Sequence, residues 1–250
     1  MKNISIVLVA PQSAGNIGST ARVMKNTGFR RLCLVNPVEY ANDDGFSMAC
    51  NAVDILREAR VFSSLAEAVK KSGMVAGVTR REGKVRNPLL PLDGAVAQIL
   101  KFSEKNEVSL VFGREDKGLK NDEIALCDTL IEIPSHPDYP SLNLSHAVFA
   151  LCYGLFTGGR GAAPQEREAP EGGPIDAAPH EERKKLYAHL ESTLRELGYG
   201  EEHNRKSGES LLRSIMKNFR RLFGRSGLTQ KEVNMLRGIC TRIEDNVEGE

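Results

Sequence analysis

The sequence is poor in the features that would settle a compartment or a partner at a glance. Its 250 residues hold five cysteines, Cys33, Cys50, Cys127, Cys152 and Cys240, an odd count with no CxxC pair. That pattern argues against a disulfide framework and suits a reducing, cytoplasmic setting. The formal net charge is only +1, so no global field draws the chain to nucleic acid, and any such contact must come from local patches. No stretch approaches the roughly 20 apolar residues of a membrane helix. The apolar start, Ile4 to Ala10 after Lys2, is too short for a signal peptide, lacks a cleavage pattern, and reads as a buried strand. His136, His146, His180, His189 and His203 do not combine with cysteines at zinc-ligand spacing, so no metal is expected. Neither a GxSxG nucleophile elbow nor a GxGxxG dinucleotide fingerprint occurs.

What is present alternates between two periods. Strands are expected at Ile4 to Ala10, Arg31 to Val35, Val61-Phe62, Met74 to Thr79, Val108 to Phe112 and Thr129 to Ile133. Helices are expected over Ile17 to Asn26, Ala52 to Ala59, Leu65 to Lys71, Gly94 to Phe102, Asn121 to Ala125 and from Ser141 onward, with a polar loop from Arg80 to Pro91. Near-continuous Val/Ile/Leu strands bounded by helices predict an α/β fold, a parallel sheet with helices on both faces. From residue 158 the composition shifts to Gly, Pro, Ala and Glu, too little apolar area to order a segment. The organisation expected is therefore a first domain over 1–157, a flexible linker over 158–180 and a small C-terminal helical extension over 181–250. Three helices are expected there, Glu181 to Leu197, Glu209 to Phe223 and Thr229 to Val247, the last opening with a Thr229/Glu232 capping box. On the middle one Leu212, Ile215, Met216, Phe219 and Phe223 form an apolar stripe, and Arg213, Lys217, Arg220 and Arg221 a basic one. The basic stripe is either a solvated face or a phosphate-contacting surface.

Three segments look built to meet. In Pro140 to Gly154 a polar turn runs into an apolar helix that Ser141 could cap, leaving first-turn amides facing a ligand. Asn16 and Arg22 bracket the helix after the first strand, at the carboxyl edge where open α/β sheets bind ligands; helix amides and an arginine there suit a phosphodiester. Phe112-Gly113-Arg-Glu-Asp-Lys-Gly118-Leu119 imitates a P-loop, yet leucine stands where the lysine belongs and no Ser or Thr follows. Its acidic groups would repel a triphosphate, whereas a neutral or positive ligand fits, with Gly113 admitting a close backbone approach.

Asn16-Ile-Gly-Ser-Thr-Ala-Arg22, Val111-Phe-Gly-Arg-Glu115 with Gly118-Leu119, and Ile133-Pro134 followed by Ser141-Leu-Asn-Leu-Ser145 resemble the three motifs of the SPOUT superfamily. The match is to its SpoU or TrmH branch of RNA ribose 2'-O-methyltransferases. Leu-Val-Ala-Pro at the first strand and Gly227 to Arg237 in the tail resemble its TrmJ-like tRNA/rRNA group. The resemblance implies a C-terminal trefoil knot, a homodimer, an S-adenosylmethionine cofactor and an RNA substrate, tRNA foremost, with anticodon-loop position 32 as the target. It places Arg22, Asn16, Glu115, Ser141 and Asn143 in catalysis, and Thr79, Arg80, Gly113, Ile133, Ser141, Leu142 and Asn143 around the cofactor. It leaves open whether these groups act within one protomer or meet across the dimer interface. An rRNA 2'-O-methyltransferase and a noncatalytic RNA-binding protein of the same fold are the alternatives.

Overall fold

The computed structural model describes residues 1–79, 89–159, 176–200 and 205–247, apart from the side chains of 205–207, 225 and 226. The chain divides into two units, Met1–Pro174 and Ile175–Glu250. The apolar runs of the first form seven parallel strands among the described residues: β1 (Ile4–Val9), β2 (Arg31–Val35), β3 (Arg60–Phe62), β4 (Met74–Val78), β5 (Leu89–Pro91), β6 (Val108–Phe112) and β7 (Thr129–Glu132). Their order is β3-β2-β1-β6-β4-β7-β5. Period-two alternation sends Ile4, Ile6 and Leu8 of β1 into one core with Ile17, Met24, Val148 and Leu151. Val7 and Val9 enter the opposite core with Val75, Val111 and Leu130. Both faces are therefore covered, as a parallel sheet requires.

The first core is closed by α1 (Ala14–Thr27), α2 (Asp43–Ala49), α3 (Val53–Arg57), α5 (Leu92–Ser103) and α7 (Leu144–Gly158). The second is closed by α4 (Leu65–Ala68) and α6 (Asn121–Ala125). Ser13 caps α1 by accepting from the Asn16 amide, and Gly28 ends it at φ 79°. Leu8 of β1 lies beside Leu34 on one side and Phe112 on the other. This register sets the carboxyl ends of β1 and β6, and the loops that follow them, side by side.

Three expectations need correction. The helix predicted over Ala52 to Ala59 is α3 alone, because the backbone turns sharply at Cys50 (φ 50°) into a 3-10 turn, Cys50–Ala52. An unpredicted helix, α2, precedes it, capped by Asn42. Its glycine hid it from the periodicity and is also what permits it: a Cβ on Gly45 would strike the Tyr40 carbonyl, and one on Gly18 of α1 would strike the Gly45 carbonyl. The two helices thus cross backbone to backbone. The predicted polar loop ends in β5, an edge strand on β7 whose Pro91 needs no ladder donor; residues 80–88 lie outside the described residues.

In the second unit α8 (His180–Glu196), α9 (Arg205–Ser226) and α10 (Gln230–Val247) enclose a small core of Ala178, Leu186, Leu228 and Val233. Glu232 accepts from the Thr229 amide at 2.8 Å, and the Glu232 amide donates to Thr229 Oγ1 at 3.3 Å, completing the expected box. Leu212 and Met216 are buried while Arg213, Arg220 and Arg221 are exposed. The expected linker falls largely on 160–175, outside the described residues. No helix among the described residues is long and apolar enough to cross a membrane.

The thiols give a direct check on this packing. Cys33, Cys127, Cys152 and Cys240 are buried and Cys50 is exposed; burial pushes Cys152 up to about 12 and also raises Cys33, Cys127 and Cys240. Native protein at mildly alkaline pH is expected to take up one equivalent of iodoacetamide quickly, at Cys50 by peptide mapping, and all five only after denaturation. Rapid labelling of Cys127 or Cys152 in the native state would contradict the core described.

Candidate active site

Three loops meet at the carboxyl edge. Asn16, in the first turn of α1, donates from Nδ2 to Glu115 Oε1 at 2.9 Å, and the Gln12 amide donates to Glu115 Oε2 at 2.9 Å. Asn143 Nδ2 donates to Asn16 Oδ1 at 3.0 Å, and Asn143 Oδ1 accepts from the amide and hydroxyl of Ser145 at 2.9 and 2.8 Å. Since Glu115 can only accept when ionised, it fixes the orientation of the Asn16 amide, which in turn fixes that of Asn143. The side chains so linked stand 99 and 127 positions apart in sequence.

The β6–α6 loop is rigid for reasons of its own. A Cβ on Gly113 would fall on the backbone of Gly118 and Leu119, so the close approach this glycine permits is to its own returning loop. Arg114 and Gly118 exchange backbone hydrogen bonds of 3.2 and 2.9 Å, with Gly118 at φ 64°. The Arg114 guanidinium forks onto Glu123 at 2.9 and 2.8 Å, and Glu123 also accepts from the Lys120 amide at 2.7 Å. Both charges are largely buried, at 14% and 11% exposure, and Glu123 holds Arg114 above its ordinary value. Of the four adjacent charges, then, Arg114 staples the loop, Glu115 holds its neighbour, and Asp116 and Lys117 face solvent.

Beside this relay lies a cleft of about 220 Å³ between the ends of β4, β6 and β7 and the start of α7. Thr79, Gly113, Ile133, Ser141 and Leu142 of the predicted cofactor set all line it. Asn143 does not line it but stands in the relay, between the lining residues Leu142 and Leu144, and Arg80 lies outside the described residues. Its apolar wall, Val78, Phe112, Leu144 and Ala147, was missed in the sequence, where these residues read only as strand ends and helix face. Ser141 does not cap α7. Asn143 does, because the helix starts two residues later than the polar turn suggests. At 100° per residue Arg22 lies about 120° around α1 from Asn16. Its exposed guanidinium sits 3.5 Å from Cys50 Sγ; among the described hydrogen bonds none joins it to Asn16, Glu115 or Asn143. On the outer face of α7, Phe149 and Tyr153 are 46% and 50% exposed and stacked at 5.4 Å.

A polar relay beside an apolar slot on the carboxyl edge of an open parallel sheet defines an α/β protein built to hold a small organic cofactor. Within that class the chain belongs to the SpoU rRNA Methylase family, whose sequence profile matches residues 3–153. A second profile, tRNA methyltransferase TrmJ, C-terminal domain, matches residues 181–250. The chain is 36% identical, over 100% of its length and 96% of the relative's, to tRNA (cytidine/uridine/adenosine-2'-O-)-methyltransferase TrmJ of Pseudomonas aeruginosa. It is 34% identical, over 100% and 99%, to tRNA (cytidine/uridine-2'-O-)-methyltransferase TrmJ of Salmonella typhimurium. Among solved structures, TrmJ from Z. mobilis ZM4 superposes with a TM-score of 0.75 at 31% identity, covering 96% of this chain and 98% of that one.

Proposed function

We propose that this chain transfers a methyl group from S-adenosylmethionine to a ribose 2'-hydroxyl of tRNA, in the anticodon loop at position 32. The convergence of Asn16, Glu115 and Asn143 beside the cleft, in a chain similar over its whole length to enzymes of that name, carries the reading. The cleft fits the cofactor: a flat purine matches the Val78, Phe112, Leu144 and Ala147 wall, and Glu115 and Asp116 favour a cationic sulfonium at its mouth. Bound there, the cofactor supplies an electrophilic methyl group. The chain's part is to hold the ribose in line with it, and positioning of that kind accounts for much of a displacement rate. Asn16, oriented by Glu115, and Asn143 present the hydrogen-bonding rim against which the sugar is set. Thr79, Arg80, Ile133, Ser141 and Leu142 are assigned to cofactor contacts.

Arg22 is assigned to the adjacent phosphate and to negative charge developing on the 2'-oxygen. A guanidinium holds its proton too tightly to serve as a base near neutral pH. Its position on the outer side of α1 supports its acting in the cleft of a second protomer, and the exposed Phe149/Tyr153 pair supports a homodimer formed through this side of the unit. At saturating RNA, Arg22→Lys is expected to lower turnover by about tenfold or more, because an ammonium lacks the planar fork. Near-full turnover would remove the fork from the mechanism.

The trefoil knot is part of this proposal, supported by β7 lying in the sheet between β4 and β5, both of which precede it in the chain. Arg213, Lys217, Arg220 and Arg221 of α9 are assigned to tRNA phosphates. Deleting residues 180–250 should weaken tRNA binding far more than cofactor binding, as read by filter retention and calorimetry. A substrate of this kind and five free thiols support a cytoplasmic location. The test of the function is transfer of labelled methyl to separated tRNA and rRNA pools: label in tRNA is expected, label in rRNA alone would favour the alternative substrate, and none would leave an RNA-binding protein without catalysis.

A further inference from the structure

Arg22 is the cationic group on which the proposed transfer leans, and its side chain is long, exposed and unattached to the relay among the described residues. Another part of the fold holds it. Gly18, Arg22 and Lys25 stand at i, i+4 and i+7 of α1, which sets them on one stripe of that helix. The chain from α2 to α3 runs along this stripe and meets it in order. A Cβ on Gly18 would strike the Gly45 carbonyl, Arg22 Nη1 donates to Cys50 Sγ at 3.5 Å, and Lys25 Nζ donates to Asn51 O at 2.6 Å and Asp54 Oδ1 at 2.8 Å. Among the described residues the bond to Cys50 is the one hydrogen bond of the Arg22 guanidinium. Cys50 is itself firmly placed. Its φ of 50° is left-handed without being glycine, a conformation that persists where surroundings enforce it. The Cys50 amide donates to the Phe46 and Ser47 carbonyls at the end of α2, and Lys25 grips the following carbonyl, that of Asn51. The thiol donates to Ser47 O at 3.4 Å. With its hydrogen turned toward Ser47, the sulfur presents a lone pair to the guanidinium.

We propose that Cys50 is the positioning residue of Arg22, holding the guanidinium in the orientation in which it meets the RNA phosphate and the 2'-oxygen; the proposal rests on the RNA-methyltransferase reading above. An unrestrained arginine samples many rotamers, and that freedom is lost when it engages the reacting group. Orienting the fork beforehand takes the loss out of the reaction step. A neutral sulfur is a weak acceptor, so the contact steers the side chain more than it binds it, and the expected effect is moderate. A thiol that served only to shape the end of α2 would act on stability and leave the orientation of Arg22 alone.

The test compares Cys50→Ala with Cys50→Ser in the full chain. Both keep the Cβ, and with it the same backbone demand, but only serine keeps an acceptor. Turnover at saturating tRNA should fall about three- to tenfold in Cys50→Ala, the effect of one lost hydrogen bond, and return toward the wild-type rate in Cys50→Ser. S-adenosylmethionine affinity, read by calorimetry as the folding control, should hold in both. Placed in an Arg22→Lys background, Cys50→Ala should lower turnover no further, because the fork it positions is gone. A second readout needs no activity: the NMR order parameter of the Arg22 Nε–H, assigned by its disappearance in Arg22→Lys, should drop in Cys50→Ala and recover in Cys50→Ser. Wild-type turnover in Cys50→Ala, an undiminished alanine effect in the Arg22→Lys background, or an order parameter indifferent to Cys50 would overturn the positioning role. If wild-type protein transfers no methyl while the order parameter responds as expected, the proposed enzymatic function falls and the hold of Cys50 on Arg22 stands.

Discussion

Gly113→Ala is expected to lower cofactor affinity roughly ten- to hundredfold, measured by calorimetry, in a protein that still folds. The added Cβ would land on the backbone of Gly118 and Leu119. Backbone cannot swing aside as a flexible side chain can. The loop must instead open, working against the paired Arg114–Gly118 bridge and the Arg114–Glu123 fork. Overpacking of this kind costs about 1–3 kcal/mol, which is one to two decades if it is drawn from the bound conformation. Gly94→Ala is the matched control: its Cβ would meet only Pro91 Cγ at 3.9 Å, so affinity should not change. Equal effects from the two variants would mean that the Gly113 turn does not shape the cleft.

Glu115→Ala should cut turnover on tRNA by about a hundredfold with a much smaller change in cofactor affinity. Two donors, the Gln12 amide and Asn16 Nδ2, lose an ionised acceptor, and bonds to charged groups contribute about 1.5–3 kcal/mol each. Asn16 then has no fixed orientation to pass to Asn143. The fold should survive, because the loop's staple is Arg114 with Glu123 and not Glu115. Glu115→Gln keeps an acceptor for one of the two donors and should fall between. A melting temperature lowered as severely as the turnover would recast Glu115 as a structural residue.

Much of this was legible in the chain itself. β2, β6 and α6 fall on the residues their patterns predict, because buried β runs and a capped turn carry strong local signals. So do the three motif segments, whose polar residues at strand ends have no role in a core. What could not be read was long-range. Asn143, not Ser141, caps α7, since which of two nearby polar residues caps depends on where the helix starts, and the turn alone does not fix that. Gly18 and Gly45 give no sign of each other in sequence and act as a crossing point in space. Arg114 and Glu123 are nine positions apart and give no periodic sign of pairing. Arg22 shares a motif with Asn16, yet the pitch of α1 sets its guanidinium beside Cys50, a contact no local pattern announces.

The most direct test of the central claim is a crystal structure of the chain with S-adenosylhomocysteine. The purine should lie against Val78, Phe112 and Leu144, with the sulfur facing the rim held by Glu115, Asn16 and Asn143. Density for the nucleoside anywhere else on the protein, or a cleft that stays filled by its own side chains at saturating ligand, would contradict the account.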